Sequence, residues 1–95
     1  MANFDQIVVR IIKEQELIIG PLAWSEAERV QGITVLDRKK AEIILNSADP
    51  KHVVDQLVGQ YERLFGRASH EVCKEAVVGI LADLLPNEIP ASLKG

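Results

Sequence analysis

The sequence has few of the residues that mark common functional classes. Its 95 residues contain one cysteine, Cys73. A lone cysteine excludes a disulfide within the chain and a zinc site built from several cysteines. It also suits a reducing compartment, so we expect the protein to be cytoplasmic.

Long apolar runs and basic stretches are scarce as well. No segment approaches the roughly 20 apolar residues that a membrane-spanning helix needs, so we expect no membrane partner. The net charge is −3, from 11 basic and 14 acidic residues. Nucleic-acid binding depends on neutralising phosphates with Lys and Arg. An acidic chain without a strong basic stripe argues against a nucleic-acid partner but does not exclude it.

Glycine-rich loops and aromatic residues are also few. The six glycines are scattered and match neither phosphate-binding fingerprint, so we expect no nucleotide cofactor. Because aromatic residues are few, the core must be aliphatic, and in a single domain of this length it is small. A small aliphatic core favours association with a second copy, most simply as a homodimer. The aromatic residues are Phe4, Trp24, Tyr61 and Phe65.

The first third of the chain predicts a long helix and a short one. Residues 3–19 have apolar side chains at helical spacing, with Asn3 as the expected cap and Gly20-Pro21 as the end. Residues 22–31 predict a second helix that stops at Gly32. Its expected inward positions are Leu22, Ala23, Ala27 and Val30.

Residues 33–46 have two interpretations. The runs ITVLD and AEIIL, separated by a polar DRKK, predict a β-hairpin with a four-residue turn. The alternative is a helix from Arg38 to Asn46 capped by Asp37. We favour the hairpin, because the helix would leave residues 33–35 without a structural role.

Two further amphipathic helices follow in the sequence. Asp49-Pro50 predicts a capped start for the third helix and Gly66 its end. Ser69 is the expected cap of the fourth helix and Pro86 its end. The stripes are Val53, Val54, Leu57, Val58, Tyr61, Leu64 and Phe65 in the third helix, and Val72, Cys73, Ala76, Val77, Ile80, Leu81, Leu84 and Leu85 in the fourth.

The predicted fold is therefore α+β and mostly helical. Its order is helix, short helix, β-hairpin and two long antiparallel helices, and an all-α five-helix bundle is the alternative. Residues 1–95 form one domain, with residues 87–95 as an irregular tail. Ile89 and Leu93 are the tail residues that we expect to dock on the body.

His70 and Cys73 are the candidates for chemistry. They lie at i and i+3 of a helix, so an imidazole and a thiolate could share a metal or redox site. Two ligands do not complete a metal site, and Cys73 also falls on the apolar stripe, where cysteine behaves as a small hydrophobe. A Cys73 nucleophile with a histidine base lacks an orienting group and an oxyanion loop. We therefore expect neither a metal site nor enzymatic activity.

Two candidate contact sites remain. Arg38-Lys39-Lys40 is the one basic run, and at a hairpin tip it is either a solvated turn or a small phosphate-binding patch. Trp24, next to Leu22, is either a core anchor or a residue of a contact surface, where tryptophan is enriched. The sequence predicts a small non-enzymatic interaction or regulatory module that self-associates through apolar helix faces or the hairpin edge. The alternatives are a nucleic-acid-binding protein and a metal or redox site.

Overall fold

The computed structural model describes residues 4–82 and 89–93. Helices dominate and one antiparallel hairpin interrupts them, so the α+β prediction is confirmed and the all-α bundle is wrong. The elements are α1 (Phe4–Ile19), α2 (Leu22–Glu28), β1 (Ile33–Asp37), β2 (Glu42–Leu45), α3 (Pro50–Phe65), α4 (Arg67–Ala76), α5 (Val78–Leu81) and a C-terminal 3-10 turn (Ala91–Leu93).

The core forms where α1, α2 and α4 pack on α3. Each fully buried aliphatic side chain stabilises the fold by about 1.5–3 kcal/mol. Tyr61 of α3 is also fully buried and donates its hydroxyl to the Ala23 carbonyl at 2.6 Å. Burial raises the pKa of Tyr61 well above its usual range. The fully buried aliphatic residues of α1 and α3 are Ile7, Val8, Ile11, Ile12, Val53, Val54, Leu57 and Val58.

The short helix α2 begins where predicted but ends earlier, and one of its predicted inward residues is exposed. It begins at Leu22, which is 44% exposed instead of inward, because Leu22 lies in the first turn beyond the core. It ends at Glu28, and Val30 is buried in the turn that follows. Gly32 then adopts a φ of +99°, and a Cβ there would lie 2.9 Å from Val53 Cγ2. The chain enters the hairpin through a position that only glycine fits well.

The hairpin packs one face on the helices. Its inner side chains Ile33, Val35, Ile43 and Leu45 contact the core. Strand β1 runs through Asp37, so the turn is 38–41 rather than the predicted 37–40. Two features explain the shift. The Asp37 carboxylate accepts from turn amides, and Ala41 takes a left-handed φ of 56°.

Helices α3 and α4 meet at Gly66, whose φ of 88° ends one helix and precedes the other. The Asp49 cap is confirmed, since its carboxylate accepts the His52 amide at 3.3 Å. The Ser69 cap is wrong, because α4 already begins at Arg67 and Ser69 is buried inside it.

The fourth helix is shorter than predicted. Helix α4 ends at Ala76, and a short α5 follows the non-helical Val77. The β-branched pair Val77-Val78 and then Gly79 weaken the helix at this point, since both residue types have low helix propensity. The predicted stop at Pro86 and the predicted cap Asn3 lie outside the described residues.

The predicted irregular tail is partly ordered. Residues 91–93 form a 3-10 turn that contacts α3 and α4, and Leu93 is 3% exposed. Ile89 is half-buried against the core. The predicted docking of Ile89 and Leu93 is thus confirmed, whereas residues 87–88 and 94–95 lie outside the described part of the chain.

Candidate functional site

The outer face of the hairpin presents exposed aliphatic side chains. Thr34 pairs with Ile44 across the two strands, and Leu36 lies at an irregularity of the register just beyond them. Leu36 is 57% exposed and Ile44 is 44% exposed. Diagonal neighbours on one face of an antiparallel pair lie within reach of long side chains. Leu36 and Ile44 therefore form one apolar patch with Thr34 beside it, which we call the hairpin face.

Polar groups frame the hairpin face at both ends. At the base, the Asn46 side-chain amide donates to the Thr34 hydroxyl at 2.5 Å. At the tip, Asp37 Oδ1 accepts the backbone N–H groups of Lys39 and Lys40 at 2.9 and 3.1 Å. These bonds fix the turn and hold the strand ends in register.

The basic run lies at the tip, as its sequence position predicts. The Arg38 guanidinium is 3.1 Å from the Glu28 carboxylate of α2, so this cation is already paired. Lys39 and Lys40 are exposed, and neither ammonium group forms an ion pair within residues 4–82 and 89–93. The tip therefore offers two cations instead of three to an anionic partner.

The apolar surface of the hairpin continues towards α1. Leu36 lines an open groove between the hairpin and α1, together with Ala41 and Ile43 of the hairpin side. The α1 side of this groove includes Val9, which is half-buried. Asp5 and Gln6 of α1 and Glu42 of β2 line the same groove, so polar groups interrupt the aliphatic surface beside Leu36.

A second group of exposed aliphatic side chains lies at the α1–α2 corner. Leu17 is 81% exposed, Ile18 is 60% exposed, and Leu22 follows across Gly20-Pro21. Scattered exposed aliphatics are ordinary on a protein surface, but three within six residues form a patch.

Trp24 belongs to the core. Its ring is 1% exposed, and its indole N–H donates to the Glu16 carboxylate at 2.8 Å. Of the two interpretations of Trp24, the core anchor therefore describes this chain. Leu22, its predicted partner on a contact surface, is exposed and belongs to the patch at the α1–α2 corner, whereas Trp24 is buried.

His70 lies between α3 and the C-terminal turn. Its Nδ1 is 2.5 Å from Glu62 Oε2, and its Nε2 is 2.5 Å from the Ser92 carbonyl oxygen. Asp55 of α3 accepts the Ser92 N–H at 2.9 Å and the Ser92 hydroxyl at 2.6 Å. Both ring nitrogens of His70 thus have partners, and neither partner is Cys73.

Cys73 is fully buried against α1. The Gln15 amide of α1 donates to Cys73 Sγ at 3.3 Å and to the Ser69 carbonyl at 3.0 Å. Burial raises the pKa of the Cys73 thiol to about 11. The structure therefore places Cys73 in the core and His70 in a different network, with His52 exposed elsewhere on α3.

Two hydrogen-bonded contacts escaped the sequence reasoning. Gln15 is 0% exposed, and it falls three and four positions after Ile12 and Ile11, so the helical period carried a signal of burial. The Asp55–Ser92 contact spans 37 positions and left no local signal. Such contacts depend on how the tail returns to α3.

Searches for relatives give no further assignment. No family model, curated protein or solved structure matches this chain. In residues 4–82 and 89–93 no group of three or more His, Cys, Asp or Glu side chains is placed to hold a metal ion. The helices of this described part are also too short or too polar to cross a membrane.

Proposed function

We propose that the protein is a small, soluble, non-enzymatic interaction module of the cytoplasm that forms a homodimer through the hairpin face. The observation that carries the proposal is the exposure of Leu36 and Ile44 on the outer side of a two-stranded sheet. A two-stranded sheet with an apolar outer face gains stability when that face is covered.

The charges around the face favour a second copy as the partner. A two-fold dimer brings the same patch of each copy together. When two hairpins meet in opposite directions, the tip of one lies beside the base of the other. The tip carries Lys39 and Lys40, and the chain after the base carries the exposed Asp49. Two copies thus offer opposite charges on both sides of one apolar centre.

The size of the face sets the expected affinity. Its longer strand has five residues, and five residues of strand extend about 17 Å. Two such strands present much less than the roughly 800 Å² per partner of a standard interface. We therefore expect a weak dimer, with a Kd of about 10 μM or higher.

Replacing Ile44 should separate the two copies. We expect the unmodified chain to show a concentration-dependent rise in sedimentation coefficient. Ile44→Lys should abolish this rise, because two opposed lysines would be desolvated in the dimer. Sedimentation velocity from about 10 μM to 1 mM spans the expected Kd.

Leu64 of α3 provides the matched control. It is an aliphatic residue that is 45% exposed, against 44% for Ile44, but it lies on a different element. Leu64→Lys should leave the association unchanged. A chain that stays monomeric across the whole concentration range, or that loses association equally in both variants, contradicts a dimer through the hairpin face.

A further inference from the structure

Ser92 is held from two sides. On one side Asp55 Oδ1 accepts both the backbone N–H and the hydroxyl of Ser92. On the other side the Ser92 carbonyl oxygen faces His70 Nε2 at 2.5 Å. These bonds tie the C-terminal turn to α3 and α4, with Leu93 buried beside them.

The hydrogen bonds of His70 require a particular protonation state. The Ser92 carbonyl oxygen, which faces Nε2, can only accept a hydrogen bond. The ionised Glu62 carboxylate, which faces Nδ1, can also only accept one. A neutral imidazole has one N–H, so it satisfies one of these acceptors and turns a lone pair towards the other. The imidazolium has two N–H groups and satisfies both.

We infer that His70 is a proton-operated latch, whose imidazolium holds residues 89–93 on α3 and α4 and whose deprotonation releases them. The latch consists of His70 and the three groups that it joins, which are Glu62, Ser92 and, through Ser92, Asp55. Release uncovers the buried surface under Leu93 and Pro90, so the apolar surface that the protein presents depends on pH.

The charges around His70 favour its cationic form. The hydrogen bond to the Ser92 carbonyl is the main cause that raises the pKa of His70, and the carboxylates of Glu62 and Glu71 raise it further, whereas burial opposes them. Lys74 on α4 lies 3.9 Å from Glu71 and offsets part of its charge.

The direction of the pKa change fixes the direction of the switch. Because the pKa of His70 is raised in the docked state, its contribution to docking is complete below the ordinary histidine pKa of about 6.5. That contribution is lost as the pH rises through the raised pKa. The segment is therefore held below the raised pKa of His70 and loosened above it.

The test is an NMR titration of the full chain from about pH 5.5 to 8.5. It follows the His70 ring, the Ser92 amide and the Leu93 methyl groups. We expect all three to change with one midpoint above about 6.5. The population of the released segment should rise roughly tenfold or more, the effect of losing a charge-assisted hydrogen bond. The proposal is overturned if the Ser92 and Leu93 signals stay constant while His70 titrates, or if His70 titrates at or below about 6.5.

Two histidine variants separate the latch from general titration. His52 is exposed on α3 and borders the tail beside Asp55, Ile89 and Ala91. The bonds of Ser92 go to His70 and Asp55, so His52→Gln should keep the pH dependence of Ser92 and Leu93. His70→Gln should remove it, because a glutamine amide does not titrate in this range. Retention of the Ser92 transition in folded His70→Gln overturns the latch. If His70→Gln does not fold, the titration of the unmodified chain still decides the question.

Discussion

Among single residues, Gln15 has the most constrained environment. It is fully buried on α1, and its amide nitrogen donates to Ser69 and Cys73 across the interface with α4. Its Oε1 has no hydrogen-bond partner among the residues that the structure describes. A buried polar atom without a partner costs about 1–3 kcal/mol. Gln15 is therefore retained at a cost, and its two donated bonds orient α4 against α1.

The Cys73 thiol should be inert in the folded protein. Its pKa rises from 9.0 to about 11 through burial. At about pH 8 the thiolate fraction is then roughly 100-fold lower than in an ordinary thiol, and burial slows access further. Modification by a thiol-specific reagent should be at least roughly 100-fold slower than in chain unfolded by urea. Equal rates in the two states would contradict the buried position and revive the redox hypothesis.

The sequence revealed the position of Cys73 but not the partners of His70. Cys73 falls on the apolar stripe of its helix, and periodicity depends only on local sequence. The partners of His70 are Glu62, eight positions away across a helix junction, and Ser92, 22 positions away. Spacing within one helix suggested a His70–Cys73 pair, whereas the packing of three elements gave each residue a different neighbour.

At the scale of elements, the junctions with strong stereochemical signals were predictable. Asp49-Pro50 and Gly20-Pro21 end or begin helices where the sequence indicates, since capping and proline geometry act within a few residues. The end of α4 was not predictable from periodicity. Val77 is buried and continues the stripe although it is not helical. At Val77 the side chain is therefore buried although the backbone is not helical, because low helix propensity ends the helix while the apolar side chain still packs in the core.

Two glycine substitutions should change stability in opposite directions. At Gly59, inside α3, an added Cβ meets nothing within 4 Å, so Gly59→Ala should stabilise the protein by about 1 kcal/mol. At Gly32 the same change is strained by φ of +99° and brings Cβ to 2.9 Å from Val53. We expect Gly32→Ala to destabilise by about 2 kcal/mol or more.

Thermal unfolding measures both effects at once. For a chain of this length, 1 kcal/mol changes the Tm by about 4–8 °C, so the two variants should lie on opposite sides of the unmodified protein. A lower Tm for Gly59→Ala would show that α3 needs glycine for a reason beyond its own packing. An unchanged Tm for Gly32→Ala would contradict the tight turn before β1.

At the scale of the whole molecule, the C-terminal turn completes the cover of α3. The segment contacts α3 and α4, and it buries Leu93 and Pro90. Most of the large exposed aliphatics of the described residues lie elsewhere, on the hairpin and at the α1–α2 corner, and the others are Leu64 of α3 and Val78 of α5. The C-terminal turn of the same chain thus covers the nearby surface of α3 and α4, whereas the hairpin face remains exposed and available to a partner.

Leu93→Ala should show that the C-terminal turn is part of the folded unit. Leu93 is 3% exposed, and removing a buried leucine side chain costs roughly 2–5 kcal/mol when a cavity remains. A 3-10 turn of three residues can relax around a smaller side chain. We therefore expect the low end, a loss of about 2 kcal/mol in the free energy of unfolding, seen as a lower urea midpoint at about pH 6. Leu64→Ala, which changes an exposed leucine, should change the free energy of unfolding by less than about 0.5 kcal/mol and leave the urea midpoint nearly unchanged. If both variants unfold at the midpoint of the unmodified chain, the turn adds nothing to global stability. The cover of α3 would then be complete without it.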